Sequence, residues 1–324
     1  MLSIEEKTIS WIFTGLLSIS SIFFNVYLLL VNQRNYKKNH KLNPADFIIT
    51  TFAMASVIQH LISYLWQTMD STDVICKLYI VEAVLLVMVF SLKLIVIWTM
   101  AFLTFYYSTK LVVQPVNCYT GIKEVIVKHV HIISAVIVVS GFANCVPLLT
   151  ILTNNNGTSD IIDCGSLMPD NISGLAYIFY YVFISDIVPG IVMLKCCISI
   201  SYHLAKHLRD MKASSNGSHG PKLGTQIRVI KMTITLEAVF LCFMAVDLYT
   251  QFTVVLKRDN TITLTILFSS IYTMVSAFVL AYGKKSYWKE LITSYNLFLD
   301  EYPILNSMKV KEVKTEQQEN SQEH

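Results

Sequence analysis

Seven apolar stretches, each long enough to cross a lipid bilayer, constrain this chain more than anything else in it. They run over residues 9–31, 46–66, 78–110, 129–151, 175–203, 229–255 and 262–283. About twenty consecutive apolar residues in helical form span the hydrocarbon core. Inside lipid no water satisfies a bare amide, so each stretch must be a helix that closes its own hydrogen bonds. Only 15% of the residues are charged and the mean hydropathy is +0.53, whereas a soluble domain is roughly a quarter charged. The expected fold is therefore an all-α membrane protein, a bundle of seven transmembrane helices. The first stretch follows Glu5 and Glu6 rather than basic residues, and no small-residue cleavage site comes after it. It reads as a retained span, not a removed leader.

The loops give the orientation. Arg34, Lys37, Lys38, Lys41, Lys110, Lys123, Lys128, Lys206, Arg209, Lys212, Lys222, Arg228 and Lys231 all fall on one side, joined by Lys284, Lys285 and Lys289. The other side has Lys7, Lys77, Lys257 and Arg258. The positive-inside rule puts the N-terminus outside and the C-terminus in the cytoplasm. Two glycosylation sequons, at Asn156 and Asn171, then lie on the outer side, and a third at Asn216 lies inside and stays unmodified. Residues 1–8 form a short extracellular N-terminus, 9–290 the seven-helix domain and 291–324 a polar cytoplasmic tail, largely disordered at its end.

The third stretch is the longest and is expected to be central. Lys93 lies midway between Cys76 and Lys110, about 25 Å from each by helical rise. An ammonium at that depth is expensive and marks a functional site by default. Two accounts stay open for it: contact with an anionic or acceptor-rich ligand, or a buried ion pair. Asp186, Glu237 and Asp247 are the partners within the spans. Val89 stands one turn above Lys93 as a pocket wall, and Glu82 two turns higher, at the mouth or simply solvated. Asn25 lies inside the first span, where its amide is expected to bond a neighbouring helix. The net charge of +3 carries no nucleic-acid signature, and the seven cysteines contain no CxxC pair. His60 stands alone in its span, and His129 and His131 sit at the entrance to the fourth. No metal-ligand spacing appears, no cofactor is indicated, and a membrane enzyme is not expected. A transporter is a minor alternative, since no internal repeat is visible.

Seven spans with an outer N-terminus and short loops resemble a G-protein-coupled receptor. The third span ends in Tyr106-Tyr107-Ser108-Thr109-Lys110, and the seventh has no proline, unlike rhodopsin-like receptors. Ordered landmarks do occur: Asn25, Val31-Asn32, Leu42, Asp46, Ala53-Met54-Ala55-Ser56, then Trp98, Leu103, Tyr107 and Lys110, then Leu204, His207, Met211, Pro221 and Lys231. In order and spacing they resemble the bitter taste (type 2 taste) receptor family. Departures accompany them: Val57 replaces the family's arginine, Lys93 its third-span asparagine, and Val89 its tryptophan.

The resemblance implies a chemosensory receptor in the plasma membrane that binds a small tastant among helices three, five, six and seven. Val89, Lys93, Glu82, Asp186 and Asp247 are its candidate ligand contacts. Asn25, Trp98, Leu103 and Glu237 take structural or activation roles. Tyr107, Lys110, His207 and Lys231 are expected to meet a heterotrimeric G protein of the gustducin type. The blander account of those basic residues is insertion topology and anionic lipid. Cys76 and Cys164 lie on the oxidising side, which permits a bridge that most of the family lacks. Vomeronasal type 1 (pheromone) receptors are the nearest competing family.

Overall fold

The computed structural model describes residues 4–71, 79–111, 117–154, 172–213, 221–257 and 262–301. Those residues are helical almost throughout. The helices are α1 (Ile4–Asn39), α2 (Pro44–Ser71), α3 (Tyr79–Leu111), α4 (Asn117–Asn154), α5, α6 (Pro221–Lys257), α7 (Ile262–Gly283) and α8 (Lys285–Glu301). Helix α5 comprises Ile172–Val182, a π-helical turn Phe183–Ile187, and Val188–Ala213. Seven of the helices, α1 to α7, are long and apolar enough to cross a membrane.

The division of side chains follows from the solvent on each side. Ile12, Phe13, Leu16, Ile19 and Phe23 of α1 point outward, as do Val136 and Val139 of α4. They face the lipid layer that the hydropathy implies. Helix α3 is the most buried of the seven and packs against α2, α4, α5 and α6, so the longest apolar stretch is indeed the central one. Polar side chains enter the spans by bonding back to their own helix, as Thr51 does to the Phe47 carbonyl and Thr99 to that of Ile95. Others tie helices together. His60 lies 2.8 Å from Thr273 and 3.3 Å from Ser18, and Gln59 donates to Ser269 at 2.7 Å. The histidine that looked isolated in sequence joins α1, α2 and α7.

Two close approaches fix helix packing. A methyl group on Gly141 of α4 would overlap Ile95 of α3, and one on Gly283 would overlap Met232 of α6. Helix α1 ends where His40 takes a left-handed conformation (φ 50), and α2 starts with Pro44, whose missing N–H is harmless there. The bend in α4 falls at His129 (φ −113, ψ 20) rather than at Pro147, which lies within the helix.

The buried apolar side chains form two main clusters. One gathers Trp66, Leu86, Val89, Phe90, Tyr177, Tyr181 and Ile266 towards the end of the bundle where α1 begins. The larger one extends towards α8 and includes Phe52, Met100, Leu103, Phe240, Phe243 and Tyr272.

Candidate functional site

Between the two clusters lies a charged layer. Lys93 Nζ donates to Asp247 Oδ2 at 2.6 Å, joining α3 to α6, with both side chains almost fully buried. Asp186 of α5 is buried close by, near enough to act on the same ammonium. Ser185 donates to Asp186 Oδ2. The ammonium sits 5.6 Å from the ring centre of Tyr181 and 5.4 Å from that of Phe243, one ring from each apolar cluster. Of the two accounts of Lys93, the structure shows the ion pair, and it selects Asp247 with Asp186 beside it. Glu237 stands apart. It is buried near Cys197, and neither of its carboxylate oxygens has a protein donor among the described residues.

The π-helical turn sets the aim of Asp186. Within it the N–H of Val188 reaches back to the Phe183 carbonyl. In that register Ile184 would next accept from residue 189, but Pro189 has no N–H. The Ile184 carbonyl is instead taken by Trp98 Nε1 at 3.1 Å. A neighbouring contact repeats the pattern, with Tyr181 donating to the Phe90 carbonyl at 2.9 Å. Two aromatic side chains thus lock α3 to α5 on either side of Lys93. Trp98, expected as a landmark with a structural or activation role, supplies the donor that the proline removes.

The other predicted residues divide. Val89 is packed into the apolar cluster with Trp66 and Tyr181. Glu82 is buried rather than solvated, with Asp70 acting on it and no protein donor to either oxygen among the described residues. Leu103 is core. Asn25 corrects an expectation: its amide donates to Ser21 of its own helix (2.9 Å to the carbonyl, 3.2 Å to the hydroxyl), not to a neighbour. A serine one turn earlier offers a nearer acceptor than any other helix. Cys76, Cys164, Asn156 and Asn171 lie outside the described residues.

At the α8 end, Tyr107 is buried beside Tyr106, whereas Lys110 and Lys231 are exposed. His207 lies on α5, with its side chain outside the described atoms. A second buried network sits nearby, which sequence reasoning met only as landmarks. The Tyr287 hydroxyl of α8 lies 2.6 Å from Asn32 Oδ1 and 2.8 Å from Asp46 Oδ1. Asn32 donates to the Asp46 carbonyl and to Thr50, and Tyr27 to the Tyr287 carbonyl. Lys284 pairs with Asp46 and lies over the Tyr287 ring. The signal available in sequence was the apolar-polar alternation of Lys285–Glu301, which is amphipathic rather than spanning.

A bundle of seven apolar helices, with a charged layer at mid-depth and a polar network at one end, defines a multi-pass helical membrane protein. The family model described as Taste receptor protein (TAS2R) matches residues 1–293. The chain therefore belongs to the taste receptor family, a family of receptors. No curated protein matches the chain.

Proposed function

We propose that this protein is a bitter-type chemosensory receptor of the plasma membrane, with its N-terminus outside and its α8 end in the cytoplasm. The observation that carries the reading is the family match over residues 1–293. The loop charges support the orientation. A small tastant reaches the layer around Lys93, Asp186 and Asp247 from the outer side, past Val89 and Glu82. It favours an arrangement in which α6 shifts relative to α3 and α5, because a ligand moves an equilibrium only by binding one state better.

The same motion opens the α8 end, where Tyr107, Lys110, His207 and Lys231 meet a heterotrimeric G protein, of the gustducin type by family. Trp98 and Tyr181 keep α3 and α5 together during the shift, so α6 is the moving partner. The test is expression with a promiscuous G protein and a calcium readout against a panel of bitter compounds. Agonist-dependent calcium release is expected. A receptor at the cell surface that stays silent to every compound, with the G protein shown competent, contradicts the reading.

A further inference from the structure

An α-helix leaves its last four carbonyls without donors from its own backbone. In α7 these belong to residues 280–283, because the helix ends at Gly283. The Leu280 carbonyl is taken by the Lys284 N–H at 3.2 Å. The Tyr282 carbonyl takes its donor from another helix: Arg228 Nη2 of α6 donates to it at 2.6 Å. The guanidinium also lies 5.5 Å from the Tyr282 ring centre, and that ring meets Trp288 of α8 edge-on at 5.0 Å. Arginine suits both tasks, since its planar fork can bond a carbonyl while its face lies against an aromatic ring. A cation there also meets the negative end of the helix dipole. A residue of α6 thus caps α7.

The two sides of this seam are held unequally. On the α7 side, Lys284 pairs with Asp46, and Tyr287 bonds to Asp46 and Asn32, so the end of α7 is tied to α1 and α2. On the α6 side the hold is apolar apart from the cap. One turn on from Arg228, Met232 lies so close to Gly283 that a methyl group there would overlap it back to its Cβ, beyond the reach of a flexible tip. Ile230 meets Ile200 of α5 in a small cluster separate from the main core, with Leu111 of α3 against it. The Arg228 bond itself is solvent-exposed, and an exposed charged contact is worth little enough to be broken and remade.

We propose that the Arg228 cap on α7 is the latch that keeps this end of α6 shut, and that it sets how far the receptor signals without a tastant. The inference rests on the receptor reading above, in which α6 is the moving helix, and adds what restrains it. When α6 swings away from α7, Arg228 gives up the Tyr282 carbonyl to water. When α6 returns, the cap reforms on an acceptor that the Lys284 and Tyr287 network has kept in place.

The experiment uses the full-length receptor and two readouts without ligand. One is amide exchange across residues 227–232 in purified receptor in lipid nanodiscs. The other is basal calcium signalling with a promiscuous G protein, at matched surface expression. Arg228→Ala is expected to speed exchange about fivefold and to raise basal signalling by a similar factor, the shift that about 1 kcal/mol produces. Arg228→Lys keeps the charge but loses the fork, and falls between. Gly283→Ala keeps Arg228 but pushes Met232 off α7, and raises both readouts. Lys289→Ala removes an exposed positive charge from the same end of the bundle and changes neither. Unchanged exchange in Arg228→Ala overturns the latch. So does faster exchange with flat basal signalling while tastants still drive the variant, because the cap is then only structural. If Arg228→Ala does not reach the surface, flat basal signalling in both Arg228→Lys and Gly283→Ala overturns it. If exchange rises as expected but neither the parent nor any variant signals to any compound, the receptor reading falls and the hold of α7 on α6 stands.

Discussion

Two buried lysine–aspartate pairs sit at different depths of this bundle, and they are built differently. At the α8 end, Lys284 pairs with Asp46, and donors crowd around the carboxylate: Tyr287 at 2.8 Å to one oxygen and Asn43 at 3.4 Å to the other. One cation meets one anion, and the network closes over α1, α2 and α8. At mid-depth, Lys93 pairs with Asp247, but Asp186 adds a second buried carboxyl, and one oxygen of each acid lacks a protein donor among the described residues. A closed network holds helices in place, whereas an unbalanced one invites a partner. The first reads as a latch, and the second is the layer to which the proposed function brings the tastant.

Breaking each pair sharpens the contrast. The largest effect is expected for Lys93→Met, which strands two buried carboxylates and costs about 3–5 kcal/mol. Loss of folded receptor at the surface, with any remaining molecules unresponsive, checks it. Restoring surface expression by adding Asp247→Asn is the companion result. Next comes Trp98→Phe. The Ile184 carbonyl then has neither Pro189 nor Trp98 as donor, a penalty of about 1–3 kcal/mol, read as a lower melting temperature in purified receptor. Tyr287→Phe is expected to cost about 1 kcal/mol, and to loosen α8, seen as faster amide exchange across residues 285–301. The smallest effect belongs to Arg34→Ala. Its 3.0 Å pair with Glu290 is solvent-exposed, so the change in stability, read from the melting temperature, should stay within about 1 kcal/mol of zero.

The fold was legible in the sequence because lipid imposes length and apolarity span by span. The centrality of α3 followed from the same rule, as did the need for Lys93 to find a buried partner. Its partner did not, since Asp186, Glu237 and Asp247 were all within reach and only helix rotation separates them. Rotation of α5 depends on the π-helical turn at Phe183–Ile187, and that turn is visible only when Pro189 and a tryptophan on another helix are seen together. His60 stood alone in the sequence and Tyr287 was not singled out there, for a related reason. Their partners Thr273, Asn32 and Asp46 lie 213, 255 and 241 residues away in sequence, and no local pattern announces such meetings. Asn25 went the other way, because the nearest acceptor was one turn back along its own helix.

The comparison between the two pairs predicts opposite signs for one chemically identical change. Asp186→Asn replaces a buried acid by an amide that can donate to Asp247 Oδ1, which has no protein donor among the described residues, so ligand-free receptor should melt higher, by about 1 kcal/mol in stability. Asp46→Asn strips the latch of the charge that holds Lys284, so it should melt lower. The measurement is the melting temperature of both variants and the parent receptor, purified in lipid nanodiscs without ligand. A rise for Asp186→Asn with a fall for Asp46→Asn is the predicted result. A fall for both, with Asp186→Asn at least as damaged, would contradict the account.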